Sequence, residues 1–155
     1  MKIKDFNWRK YLLDCLKSTD YCCIATIDNG SVWANPVYFA WDSKFNLYFI
    51  SMSHVRHMQN ISKNPKVAVA VYSTQQKGDV IGIQLEGKAY ILKDQQEKKK
   101  AHKIYYRRVG SLEQNEPFID NPSWLFVKII PESIYYFNSK IFGEERQEVP
   151  KEKIK

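Results

Sequence analysis

Across residues 80–92 the chain alternates, with Ile81, Ile83, Leu85, Ala89 and Ile91 on one side and Gln84, Glu86 and Lys88 on the other. A period of two is the mark of a strand with one buried face. A segment of this length commits the chain to a fold built on a sheet. Gly82 and Gly87 lie inside it. Glycine within a strand predicts a bulge or the close approach of another backbone.

Shorter segments of the same kind surround it. Residues 21–27 are apolar and β-branched and run into Asp28, Asn29 and Gly30, a hairpin signal whose Asn-Gly pair suits positive φ. Residues 31–41 form the returning strand, interrupted by Pro36, which predicts an edge, a bulge or room left for something else. Residues 46–51, 66–72, 124–130 and 133–138 supply the rest, the last two separated by Pro131 and Glu132. A polar loop is expected over 73–79, and another around Pro117 and Pro122.

Two stretches break into helical spacing. Trp8, Tyr11, Leu12, Cys15 and Leu16 share one face of a helix over 8–18. Asp94 and Glu97 suit the N-cap and N3 positions of a helix over about 95–108, buried through Ala101, Ile104 and Tyr105. Roughly seven short, mostly hairpin-connected strands favour a mainly β (α+β) antiparallel barrel, closed or partly closed; a sandwich is the alternative, and the pattern alone leaves the two undecided.

The chain has 155 residues, of which 44% are hydrophobic and 14% aromatic. That is enough for one domain over 1–155 to bury a core without metal or disulfide. No run of about 18 apolar residues occurs, and the start lacks the apolar segment of a secretion signal. A soluble, cytoplasmic protein is expected, with Cys15, Cys22 and Cys23 as small apolar residues of a reducing compartment. The net charge of +7 has a local source in Lys98, Lys99, Lys100, Lys103, Arg107 and Arg108, with further lysines over 151–155. Such a run is either the solvated face of a helix or a surface for nucleic acid or another anionic partner. No zinc-finger, helix-turn-helix or RNA-binding signature accompanies it.

Residues 51–64 are the best candidate for a site. They follow an apolar strand and read as a short helix ending at Pro65. Val55, Met58, Ile61 and Ser62 share one face, and Arg56, His57, Asn60, Lys63 and Asn64 the other. Ser53 is placed to act as N-cap. Cations beside a helix start suit an anion, so the segment suggests a cofactor that bears phosphate. His54 and His57 have no carboxylate or thiolate at ligand spacing, which argues against a metal. Neither a nucleophile elbow nor a glycine-rich phosphate loop is present. A nucleotide must then be held by side chains and helix dipole, with Arg56, His57, Lys63, Ser51 and Ser53 as candidates.

In order and spacing these segments resemble the flavin-binding split-barrel family related to pyridoxamine 5′-phosphate oxidase. The matching core covers about residues 20–138: Ile24-Ala25-Thr26, Ala34-Asn35-Pro36-Val37-Tyr38-Phe39, Leu47-Tyr48-Phe49-Ile50-Ser51, Arg56-His57 with Asn60-Ile61 and Asn64-Pro65, then Val67-Ala68-Val69 and Gln84-Leu85-Glu86-Gly87-Lys88-Ala89. The resemblance implies a six-stranded split barrel, dimeric, with FMN in grooves at the subunit interface. It implies that Arg56 and His57 meet the FMN phosphate, that Ile50 and Ser51 lie against the flavin, and that Asn35, Pro36, Val37 and Tyr38 border its ring. Lys63 and Gln84 are further contacts on the same pattern. Departures are Val55, where the family often has serine, and Gly82, where the oxidase offers a glutamine. Residues 142–148, Phe-Gly-Glu-Glu-Arg-Gln-Glu, stand in place of the oxidase's basic, histidine-containing substrate motif.

The expectation is therefore a cytoplasmic homodimeric FMN protein, a flavin-dependent oxidoreductase for an unidentified small molecule and not a true vitamin B6 oxidase. Tyr38 and Tyr136 are candidates for the substrate side, with core packing as the competing role, and no residue is assigned as acid or base. The alternatives are a non-catalytic flavin or haem binder and a basic nucleic-acid adaptor.

Overall fold

The computed structural model describes residues 5–73, 79–110 and 121–154. Eight strands form one antiparallel sheet: β1 (Tyr21–Asp28), β2 (Ser31–Tyr38), β3 (Ala40–Trp41), β4 (Leu47–Met52), β5 (Lys66–Tyr72), β6 (Ile81–Ile91), β7 (Trp124–Asn138) and β8 (Arg146–Glu148). Their order is β2-β1-β5-β6-β7-β4-β3, with β8 added to β7. β2 and β3 are halves of one segment parted at Phe39. The first half pairs with β1 and the second with β4. Both ends of the sheet order thus lie on the same stretch of chain, which curls the sheet into a split barrel.

Local signals behave as the sequence predicts. Asn29 and Gly30 take φ of 46° and 79° in the β1–β2 turn. Asp94 accepts hydrogen bonds from the amides of Gln96 and Glu97, both at 2.9 Å, and opens α3 (Gln95–Val109). In α1 (Trp8–Lys17) the residues Trp8, Leu12, Cys15 and Leu16 are buried. The barrel interior is filled by Ile24, Phe49, Val69, Ile83, Leu85, Ile129 and Ile134, closed by the apolar face of α1. A smaller cluster of Ala40, Tyr48, Leu92, Ala101, Tyr105 and Phe126 seats α3 on the outside.

Three expectations need correction. Residues 124–138 are one strand, not two, because β7 runs on through Pro131 and Glu132. The register between β6 and β7 shifts between Glu86 and Gly87, and Gly87 faces Pro131. A proline has no amide to offer the ladder, and the bulge absorbs that loss. The returning strand breaks at Phe39 rather than at Pro36, which pairs with Cys23 inside β2. β2 ends the sheet order, so the missing amide of Pro36 is tolerated on its open side. β8, preceded by the short α4 (Ser139–Phe142), was not anticipated. Pro117 and residues 74–78 lie outside the described residues.

The basic run also divides. Lys99, Lys100, Lys103 and Arg107 are exposed, but the side chain of Arg108 is only 14% exposed. Its guanidinium lies 4.2 Å from the Trp41 ring centre and 4.7 Å from that of Phe39. It donates to the carbonyl of Leu16 at 3.0 Å and to that of Thr19, tying α3 to the end of α1. The three cysteines are free, and burial pushes the thiols of Cys15 and Cys22 up to about 12. No helix among the described residues is long and apolar enough to cross a membrane.

Candidate functional site

β4 delivers the chain to α2 (Arg56–Lys63). The N-cap is Val55, with φ −77° and ψ 156°, and no side chain caps the helix. The expected N-cap, Ser53, lies two residues too early, its amide donating to the carbonyl of Ser123 at 2.9 Å. The amides of Met58 and Gln59 donate to the Val55 carbonyl at 3.0 and 3.1 Å, which leaves those of Arg56 and His57 for an outside acceptor.

A helix of two turns laid over the barrel mouth buries more than its apolar stripe. Met58 and Ile61 enter the core, but so do His57, 8% exposed, and Asn60, 3% exposed. Each polar group has a partner below. His57 Nε2 lies 2.8 Å from Ser51 Oγ at the end of β4. Asn60 donates to Thr26 Oγ1 at 3.0 Å on β1, and that hydroxyl donates to the Trp33 carbonyl at 3.3 Å. Burial holds the His57 pKa below its usual 6.5, so the neutral imidazole is favoured.

Arg56 turns the other way and is exposed. It donates to Ser31 Oγ at 2.8 Å, and its guanidinium lies 4.5 Å from the centre of the Trp33 ring. Lys63, at the far end of α2, pairs with Asp28 at 2.7 Å. The β1–β2 hairpin is thus clasped to α2 at both ends. Lys63 has a carboxylate to answer its charge, whereas Arg56 forms no ion pair among the described residues.

The remaining candidates lie on several surfaces. Successive strand residues face opposite ways, so Ser51 points to His57 while Ile50 packs toward the cluster under α3. Cross-strand partners share a face. On β2, Asn35 sits opposite Ile24 and Val37 opposite Cys22, all turned inward. Pro36 and Tyr38 turn outward, with the Tyr38 hydroxyl donating to Asp20 at 3.5 Å. Tyr136 is buried and accepts from Asn138 at 3.1 Å, as a core residue does. Gln84 lies on the outer face of the sheet, in a shallow groove of about 400 Å³ with Cys23, Ala68, Ala70 and Tyr135. Within one chain it is separated from Ser51 and His57 by the thickness of the sheet.

Two residues that the sequence reading passed over matter here. Ser31 and Trp33 are the contacts of Arg56, and Trp33 shares the face of Asn35 by simple alternation. That period was the available signal.

A phosphate-bearing cofactor fits the residues present on three counts. Among the described residues Arg56 has no ion pair, the start of α2 has no side-chain cap, and the buried Asn35 Oδ1 has no hydrogen-bond partner. An orphaned acceptor beside the open edge of β2 invites a donor from outside the chain.

The sequence profile of the pyridoxamine 5′-phosphate oxidase family matches residues 9–138. The chain belongs to that family. No curated protein matches it in sequence. Among solved structures the fold is similar to that of a heme binding protein from Mycobacterium smegmatis, with a TM-score of 0.73 and 14% identity over 94% of this chain and 57% of that one. It is also similar to General Stress Protein 26 from Bacillus anthracis, with a TM-score of 0.66 and 22% identity over 93% of this chain and 100% of that one. A NimC/NimA family protein from Clostridium acetobutylicum gives a TM-score of 0.66 and 19% identity, covering 91% of this chain and 92% of that one. At such identities the likeness establishes the split-barrel fold that the sequence predicts.

Proposed function

We propose that this protein binds FMN between the start of α2 and the open edge of β2, and that it is a flavin-dependent oxidoreductase for a small molecule. The observation that supports this best is the pairing of an ion-pair-free Arg56 at an uncapped helix start with the orphaned Asn35 Oδ1. Arg56 meets the phosphate. Asn35, Pro36, Val37 and Tyr38 border the ring, with Ile50 and Ser51 at the strand end beside it. When bound, the flavin supplies the redox chemistry, and the chain's part is to hold it, orient it and keep water away. Residues 142–148 lack the basic substrate motif of the true oxidase, so pyridoxamine phosphate is not the substrate assigned here. Three free cysteines suit a reducing cytoplasm.

The visible spectrum of purified protein, with identification of the released cofactor, tests this reading. Flavin bands and released FMN are expected. A haem spectrum like that implied by the name of the mycobacterial neighbour, or a deazaflavin in the extract, overturns it.

The outer face of β2, β1 and β5 supports a homodimer. Val32, Tyr21 and Tyr72 are 66%, 59% and 52% exposed there, beside the half-buried or exposed Ala25, Ala34, Ala68 and Ala70. No described element covers this face, and a continuous apolar surface of that kind marks an interface. Gln84 lies on it, where it can reach the flavin of a second copy. Sedimentation at micromolar concentration should give the mass of two chains, and a single species of one chain's mass contradicts the dimer.

A further inference from the structure

The clasp between α2 and the barrel is not uniform. Asn60 and Lys63 hold the second turn to β1. The first turn has no capping side chain; its N-cap amide, Val55, donates to the Met52 carbonyl at 3.3 Å, Met58 enters the core, and the side-chain link to β4 is the contact between His57 Nε2 and Ser51 Oγ. Two-turn helices do not stand alone in water, so the setting of the first turn depends on contacts of this kind. Arg56 is the preceding residue, and its position over Trp33 depends on how that turn is set.

We propose that the Ser51–His57 pair is a positioning device: it anchors the first turn of α2, sets Arg56 over Trp33, and lets go of both when His57 gains a proton. Both side chains are closed off from solvent, at 9% and 8% exposure. Among the described residues no carboxylate pairs with His57 to answer an imidazolium there. The strands β2 and β4 contain no charged residue. On β1, Asp28 is paired with Lys63; on β6, Glu86 accepts from Ser133 and Lys88 is paired with Glu132. Arg56 and Lys63, on α2 itself, are cations. Tyrosines and cysteines are the remaining titratable side chains on these strands, and none is a carboxylate. Charging the ring therefore means burying an unpaired cation, and moving the helix turn out to water relieves it.

The sign follows from the depressed pKa. The neutral pair contributes in full above 6.5, and its contribution is lost as pH falls through the lower value of the folded state. This makes His57 a residue that acts through Arg56 rather than a phosphate ligand. The inference rests on the FMN reading only for its ligand arm.

The test is run without ligand first. The side-chain Nε–H signal of Arg56 in a ¹⁵N spectrum should be displaced by the Trp33 ring at pH 7.5 and move toward its solvent-exposed position as pH falls below 6.5. His57→Gln, whose amide can still reach Ser51, should keep the displacement at both pH values. His57→Ala should lose it at pH 7.5 in an otherwise folded spectrum. Ser51→Ala, which removes a single oxygen and keeps the histidine, should behave like His57→Ala.

In the ligand arm, the preference for FMN over riboflavin should fall about ten-fold more in the wild type than in His57→Gln between pH 7.5 and 5. The comparison cancels the titration of the FMN phosphate itself near pH 6. An unchanged Arg56 signal in folded His57→Ala and Ser51→Ala overturns the proposal. So does an acid loss in His57→Gln equal to that of the wild type. If the wild type binds no flavin while the spectral arm behaves as stated, the FMN reading fails and the positioning role stands.

Discussion

If the proposed FMN site is right, Arg56→Ala should lower FMN affinity about 10- to 100-fold, while riboflavin, which lacks the phosphate, should lose no more than about two-fold. The guanidinium stays charged at every accessible pH and can hold two phosphate oxygens at once. Charge-assisted hydrogen bonds contribute roughly 1.5–3 kcal/mol each, which sets the range. Binding is not abolished, because the uncapped amides of α2 remain. Arg56→Lys should fall between, keeping charge but losing the fork and the guanidinium's contact with the Trp33 ring. Lys99→Ala, on the exposed face of α3, is the control and should leave both affinities unchanged. Flavin fluorescence titration measures all of these. Equal losses for FMN and riboflavin would mean that Arg56 serves the hairpin through Ser31 and Trp33, not the phosphate.

The largest effect on stability is expected at Gly87, where Gly87→Ala should cost about 3 kcal/mol or more. A Cβ there would run into the carbonyl oxygen of Ile130, with the Ile130 carbonyl carbon and Pro131 Cα each at 3.0 Å. All three are backbone atoms of β7, so no side chain can swing aside. Gly30 makes the contrast. It has φ of 79° and nothing within 4 Å of an added Cβ, so Gly30→Ala meets only conformational strain, about 1 kcal/mol. Urea denaturation midpoints compare the two. A Gly87→Ala midpoint at or above that of Gly30→Ala would show that the crossing of β6 and β7 can open without loss.

Much of the candidate site was legible in the sequence because strand, helix and strand follow one another without interruption from β4 through α2 to β5. Arg56 at the helix start comes from that order, whereas Asn35 on the edge strand entered through the family resemblance. The facing of His57 and Asn60 does not. Helical spacing groups them with Arg56 and Lys63 on a polar face, yet both are buried. A short helix resting on a barrel mouth meets the protein over much of its circumference. Polar side chains can turn inward where a hydroxyl such as Ser51 or Thr26 waits below, and no pattern within residues 51–64 reports the hydroxyls of β1 and β4.

What the sequence by itself determined are the features whose cause lies within a few residues. The β1–β2 turn follows from an Asn-Gly pair that accepts positive φ, α3 begins where Asp94 can cap it, and β6 alternates because one of its faces is buried. What only the tertiary structure decided are the features whose cause is a distant neighbour. β7 survives Pro131 because Gly87 lets the facing strand bulge, and the segment after the hairpin parts at Phe39 because its halves pair with different strands. Arg108 leaves the basic face of α3 because carbonyls of Leu16 and Thr19 and the rings of Phe39 and Trp41 lie beneath it. In each of these the local pattern leaves more than one outcome open, and a contact with a distant part of the chain decides it.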